Sequence, residues 1–115
     1  MPAADQPDPG LIFDALADAT RRTVLRAVAE DGPLTATELA ARLPVTRQAV
    51  AKHLGTLEAA GLVWSEKEGR DVRFRFDPQP LDDAVGWIAA VGERWERRLA
   101  TLASQLGAAT GDMTQ

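Results

Sequence analysis

The chain has 115 residues, no cysteine and a formal net charge of −4. That length suits one domain, since two would each be too small to bury a core unaided. Without cysteine there are no disulfides or thiolate metal sites, which fits a cytoplasmic protein. No apolar run reaches the roughly 20 residues that span a bilayer, and no basic stretch followed by an apolar one marks an export signal.

Charge is unevenly placed. Residues 1–41 carry three Arg and seven acids, net −4. Residues 42–76 carry seven Lys or Arg against four acids, net +3, and residues 77–115 carry three Arg against six acids, net −3. A basic segment in an acidic body can orient a protein on DNA while keeping non-specific affinity low.

Residues 1–9 are polar with three prolines and read as a disordered tail. Leu11 to Ala17 is a short apolar helix with Leu11, Ile12, Ala15 and Leu16 on one side; it is too short to stand alone. Asp18 caps the next helix, Ala19 to Glu30, whose Val24, Leu25 and Val28 face inward. Arg21 and Arg22 read equally as phosphate contacts or as structural pairs of Asp18. Asp31-Gly32-Pro33 is a turn.

Residues 35–60 then read as two helices joined by a tight turn. Thr35 and Glu38 have the spacing of a capping box. Leu39, Ala40 and Leu43 form one apolar face, and Pro44 ends that helix. Thr46 caps the second, in which Val50, Leu54 and Leu57 make one buried stripe. Gly61 stops it as a left-handed residue. Arg47, Gln48, Lys52 and His53 occupy the opposite face. This is a helix-turn-helix, whose second helix lies in a major groove.

The pattern then changes to period two. Leu62 to Lys67 is a strand, Glu68-Gly69-Arg70-Asp71 a turn, and Val72 to Phe76 a second strand. Val72, Phe74 and Phe76 point to the core, with Arg73 and Arg75 pointing away. A helix-turn-helix followed by a basic-tipped hairpin is a winged helix, and Arg70 at the tip is placed to reach a phosphate or the minor groove. Arg73 and Arg75 read equally as DNA contacts or as charge balance for acids such as Glu66.

Leu81 to Leu106 is a long helix. Leu81, Val85, Ile88, Gly92, Trp95, Leu99, Leu102 and Leu106 recur at alternating spacings of four and three, the seam of a packed helix pair. Its excess apolar length predicts a second copy, in a two-fold dimer. Leu11 and Ile12 of the first helix are expected to join Val85, Ile88, Trp95, Leu99 and Leu102 there.

The fold class is therefore mainly α with a small β-hairpin: a winged helix-turn-helix with a long C-terminal dimerisation helix. The divisions are a disordered tail over 1–9, a DNA-binding domain over 10–77, the dimerisation helix over 78–106 and a flexible tail over 107–115. An enzyme is not expected. There is no Cys or Tyr, one His, and no phosphate-binding glycine loop. Two readings remain: a DNA-binding transcriptional regulator, and a winged helix used only to dock proteins.

Three pieces in this order resemble the ArsR-type winged-helix repressors of bacteria. They are Leu16-Ala17-Asp18-Ala19-Thr20-Arg21-Arg22, then Val50-Ala51-Lys52-His53-Leu54, then Leu57-Glu58-Ala59-Ala60-Gly61-Leu62-Val63. The resemblance spans about residues 11–76. It implies a homodimeric repressor on a palindromic double-stranded DNA operator, with Thr46, Arg47, Gln48, Lys52 and His53 at the DNA. Ala51 stands where serine is common in the family. Many members respond to a metal, but this chain has no cysteine and its one histidine is on the recognition helix, so no metal site or cofactor is expected. A small-molecule effector stays open, and its nature is not legible.

Overall fold

A computed structural model describes residues 8–110, with side chains through residue 107. Of the tails expected over 1–9 and 107–115, residues 1–7 and 111–115 lie outside the described residues, whereas Asp8 and Pro9 are ordered as the cap and first residue of a helix. The helices are α1 (Pro9–Leu16), α2 (Ala19–Asp31), α3 (Ala36–Ala40), α4 (Arg47–Ala59) and α5 (Gln79–Thr110), and the strands are β1 (Leu34–Thr35), β2 (Val63–Glu68) and β3 (Asp71–Phe76). The chain divides into two units, one ending at Ala84 and one beginning at Val85.

Local chemistry sets where the helices begin. Asp8 accepts from the Gly10 N–H at 2.9 Å, Asp18 from Arg21 at 3.0 Å and Thr46 from Ala49 at 3.1 Å. At α3 the box is reciprocal: Thr35 Oγ1 accepts from the Glu38 N–H at 3.0 Å, and Glu38 Oε1 accepts from the Thr35 N–H at 2.9 Å. Each cap satisfies a donor that the helix cannot satisfy itself.

The end of α4 is equally specific. Gly61 has φ +77°, a conformation that costs a residue with a Cβ about 1–2 kcal/mol. It lets Leu62 N–H reach the Leu57 carbonyl at 3.0 Å and Gly61 N–H reach Glu58 at 2.9 Å. Leu57 and Leu62 are both fully buried, the apolar contact that accompanies such a stop.

Four details differ from the sequence reading. α3 ends at Ala40, so Leu43 is not helical; ahead of Pro44 the bonds tighten to Arg42 N–H with Leu39 and Leu43 N–H with Ala40. Leu43 still packs against the core. Leu34–Thr35 forms an additional strand, giving a three-stranded antiparallel sheet of order β1-β3-β2. Val72, expected inside, is 44% exposed, because burial along the hairpin fades toward the turn. The first unit also extends past residue 77, since Pro80 and Ala84 in the opening of α5 are buried.

The core of the first unit joins Ile12 and Ala15 of α1, Val24 and Val28 of α2, Leu39 of α3, and Val50, Leu54 and Leu57 of α4. Phe74 and Phe76 of β3 pack against it. Ile12 is fully buried there, so it serves the subunit's own core and is not available to a second copy. Leu11, its neighbour, is 47% exposed.

The second unit is the remainder of α5. It continues as helix to Thr110, beyond the end expected at 106. Its apolar residues are exposed: Val85 63%, Ile88 53%, Trp95 58%, Leu99 47% and Leu102 51%. Among the described residues no helix is long and apolar enough to cross a membrane.

Candidate nucleic-acid interface

α4 is anchored by Val50, Leu54 and Leu57, which are fully buried. Its outward face carries Gln48, Ala51, Lys52 and Gly55, all exposed. Their spacing of three and four residues places them in one strip along the axis. Ala51 and Gly55 are small, so the helix is thin along this strip, and a Cβ built on Gly55 would meet nothing within 4 Å. Thr46 is the N-cap and Arg47 the first helical residue. The strip thus presents the N-terminal half of the helix, the part that reads bases in helix-turn-helix proteins.

Arg47 is exposed but tethered. Its Nε donates to Thr37 Oγ1 of α3 at 3.0 Å, which fixes the base of the side chain against the preceding helix. Thr37 is a residue that sequence reasoning missed. A lone threonine in a short helix carries no pattern that announces such a bond.

His53 does not share the strip. It is half-buried, and its Nδ1 is buried without a hydrogen-bond partner among the described residues. It lies close enough to Asp18 for its charge to favour that carboxylate. The histidine therefore turns toward the α1–α2 junction instead of toward the residues placed at DNA. Its helical position explains this: residue 53 is three beyond Val50 and four before Leu57, at the edge of the buried stripe.

The wing is a tight hairpin. β2 and β3 pair from Val63↔Phe76 to Glu68↔Asp71, and Gly69 and Arg70 make the turn. Gly69 has φ +64°, as such two-residue turns require. Arg70 and Lys67 are exposed at this end. Arg75 and Arg73 are engaged by protein carboxylates. Arg75 Nε meets Glu66 Oε2 at 2.8 Å, with its guanidinium 5.9 Å from the Trp64 ring centre. Arg73 meets Glu38 at 3.1 Å, Glu68 at 3.6 Å and Asp71 at 3.7 Å.

Arg21 pairs with Asp18 through its backbone N–H at 3.0 Å and through its charge, and the guanidinium groups of Arg21 and Arg22 both have a use that neither sequence alternative named. Arg21 donates to the carbonyls of Ala15 at 2.9 Å and Asp14 at 3.1 Å, and Arg22 to that of Leu16 at 2.7 Å. They close the C-terminus of α1, whose last carbonyls lack intrahelical donors and carry the negative end of the helix dipole.

Two carboxylates are held below their ordinary values by these arrangements. Asp18 is lowered chiefly by the Arg21 backbone N–H, then by the charges of Arg21 and His53. Glu38 is lowered chiefly by the Thr35 backbone N–H, then by the Thr35 hydroxyl and Arg73. Among the described residues no three His, Cys, Asp or Glu side chains converge as metal ligands would.

This geometry agrees with what the chain resembles. A family model described as a helix-turn-helix domain matches residues 16–65. A Bacillus subtilis protein named as an uncharacterized HTH-type transcriptional regulator, YuzN, is 45% identical over 84 residues, covering 67% of this chain and 91% of that one. Among solved structures, an ArsR-like transcriptional regulator from Rhodococcus sp. RHA1 matches with a TM-score of 0.78 at 41% identity, over 84% of this chain and 90% of that chain. The chain belongs to the ArsR family of transcriptional regulators. Within the ArsR family, the arsenical resistance operon repressor of Escherichia coli is 31% identical over 85 residues, 73% of this chain and 69% of its own length. ArsR membership decides between the two readings of the winged helix in favour of a DNA-binding transcription regulator over a module that only docks proteins, and the family's members are regulators, not enzymes.

Proposed function

We propose that the chain acts as a homodimeric repressor that occupies a palindromic operator and so blocks transcription. The observation that carries the reading is the exposed apolar seam of α5. Val85, Ile88, Trp95, Leu99 and Leu102 are each 47–63% exposed at helix-pair spacing. A contiguous apolar stripe of this kind marks an interaction surface, and its repeat is one that a second copy of the same helix fits. Leu11 is a further exposed candidate for that interface.

At the DNA, Gln48 and Lys52 on the thin strip of α4 read the major groove, with Thr46 and Arg47 at the helix start and Arg70 on the backbone beside it. Gln48 suits adenine and Arg47 guanine, each pairing contributing about 1–3 kcal/mol of discrimination.

The test is selection of duplexes from a random-sequence library by the purified chain, with light scattering on the same sample. The expected result is a dimer at micromolar concentration and a palindrome with half-sites about 34–36 Å apart. R47E and K52E should each abolish selection while leaving the dimer intact. A monomeric sample, or selected sequences without two-fold symmetry, would overturn the proposal.

A further inference from the structure

We propose that Arg73 is a positioning residue for the wing. It ties the hairpin tip to α3 and thereby sets where Arg70 meets the DNA backbone. The inference rests on the reading above that Arg70 contacts DNA.

The hairpin needs such a device. Glu68 and Asp71 face each other across the last rung before the turn. Like charges directly opposed on a strand pair repel, and this pair flanks the residue meant to approach phosphate. Arg73 is the cation between them, at 3.6 Å from Glu68 and 3.7 Å from Asp71. Its side chain is 27% exposed, against 65% and 60% for theirs. It is the most sheltered member of the cluster, the one around which the carboxylates gather.

The third partner lies outside the hairpin. Arg73 Nη1 donates at 3.1 Å to Glu38 Oε1, the same oxygen that accepts the Thr35 N–H at 2.9 Å in the capping box of α3. Thr35 is also the β1 residue opposite Arg73 in the sheet register. The guanidinium therefore joins the tip acids to the first turn of α3. The recognition helix is tied to α3 as well, through Arg47 Nε and Thr37 Oγ1 at 3.0 Å. Two arginines, one from the wing and one from the recognition helix, end on one five-residue helix. That helix becomes the common reference for the two parts that meet DNA.

Arg73 is not a DNA contact in this account. Its fork is spent on three carboxylates, and losing it should matter only through Arg70. A double-mutant cycle separates these possibilities. The probe is a labelled duplex selected from a random-sequence library by the wild-type protein, and the reading is affinity against salt for the wild type, R70A, R73Q and the double variant. One lost phosphate contact should weaken binding about eightfold at about 0.1 M salt and reduce the log–log salt slope by about 0.9. R70A should show this loss. R73Q should weaken binding at least threefold, and adding R73Q to R70A should change nothing further.

If the two losses multiply, Arg73 touches DNA itself and the inference fails. It fails equally if R73Q binds as the wild type does while R70A is impaired. If R70A is silent, the wing reading fails and takes this inference with it, a result distinct from either of the others. A second measurement needs no DNA. Hydrogen exchange at the amides of 67–72 should quicken in R73Q, with the amides of α4 unchanged. Unaltered exchange at the tip would show that the bridge does not hold it.

Discussion

The two units treat the same kind of residue in opposite ways. In the first, Leu39, Leu54, Leu57 and Leu62 are fully buried; in the second, Leu99 and Leu102 are 47% and 51% exposed. Leu54 and Leu57 of α4 have the same three-residue spacing as Leu99 and Leu102 of α5, so periodicity alone does not separate them. The difference is what surrounds them. The first unit folds three further helices and a sheet around α4, whereas the stripe of α5 beyond Ala84 is left in view. One unit completes its core within a single chain; in the proposed dimer the other meets a second copy.

The sharpest way to break this contrast is to charge the stripe. W95E/L99E should leave the first unit folded and make the chain monomeric by light scattering. Operator affinity should fall by about 10²–10⁴-fold, the avidity lost when two linked heads become separate ones. Unchanged mass would mean that the stripe does not join copies.

Matched truncations sharpen the contrast further. L54A should cost about 2–5 kcal/mol in chemical denaturation, because it opens a cavity in a closed core. L102A, measured under dilution that dissociates the dimer, should stay within about 0.5 kcal/mol, as surface changes do. A large loss from L102A in the monomer would show that α5 is not open. Smaller than the L54A loss, G61A should cost about 1–2 kcal/mol by forcing a Cβ into the left-handed region, and it should act on the first unit alone.

The smallest effect is on acid stability. Asp18 and Glu38 have folded values lowered from 3.8 and 4.5. A lowered carboxylate contributes stability that is present above its ordinary value and is lost as pH falls through the folded one. Thermal midpoints should therefore decline below about pH 4.5. D18N and E38Q, which keep the capping oxygens, should flatten that decline. If both variants track the wild type down to pH 3, these two acids do not control it.

Much of the first unit was legible because caps and stops are written locally. Asp18, the Thr35–Glu38 box, Thr46 and Gly61 fix helix ends with one residue and its near neighbours. β1 was not legible: two residues are too few for any alternation, and Leu34–Thr35 is a strand only because β3 lies beside it. The same holds for the arginines. Arg21 and Arg22 satisfy carbonyls six and seven residues back, and Arg73 meets Glu38 35 residues away. Spacing does not encode such partners. His53 shows the finer limit: its spacing from Val50 and Leu57 puts it at the edge of the buried stripe, a position that reads as either face until packing shows it half-buried. Val72 shows the reverse: alternation pointed it inward, and the tapering of burial toward the turn left it outside.

Gly55 sets stability and recognition against each other. On the free protein a larger side chain there meets no obstacle, and replacing glycine inside a helix by alanine or leucine should raise stability by up to about 1 kcal/mol. Yet in the proposed docking, bulk at that point would act as a spacer, lifting the rod away from the base edges assigned to Gln48 and Lys52. A variant such as G55L would then be sturdier and blinder than its parent, and a screen for heat resistance alone would select the loss of the regulator's sight.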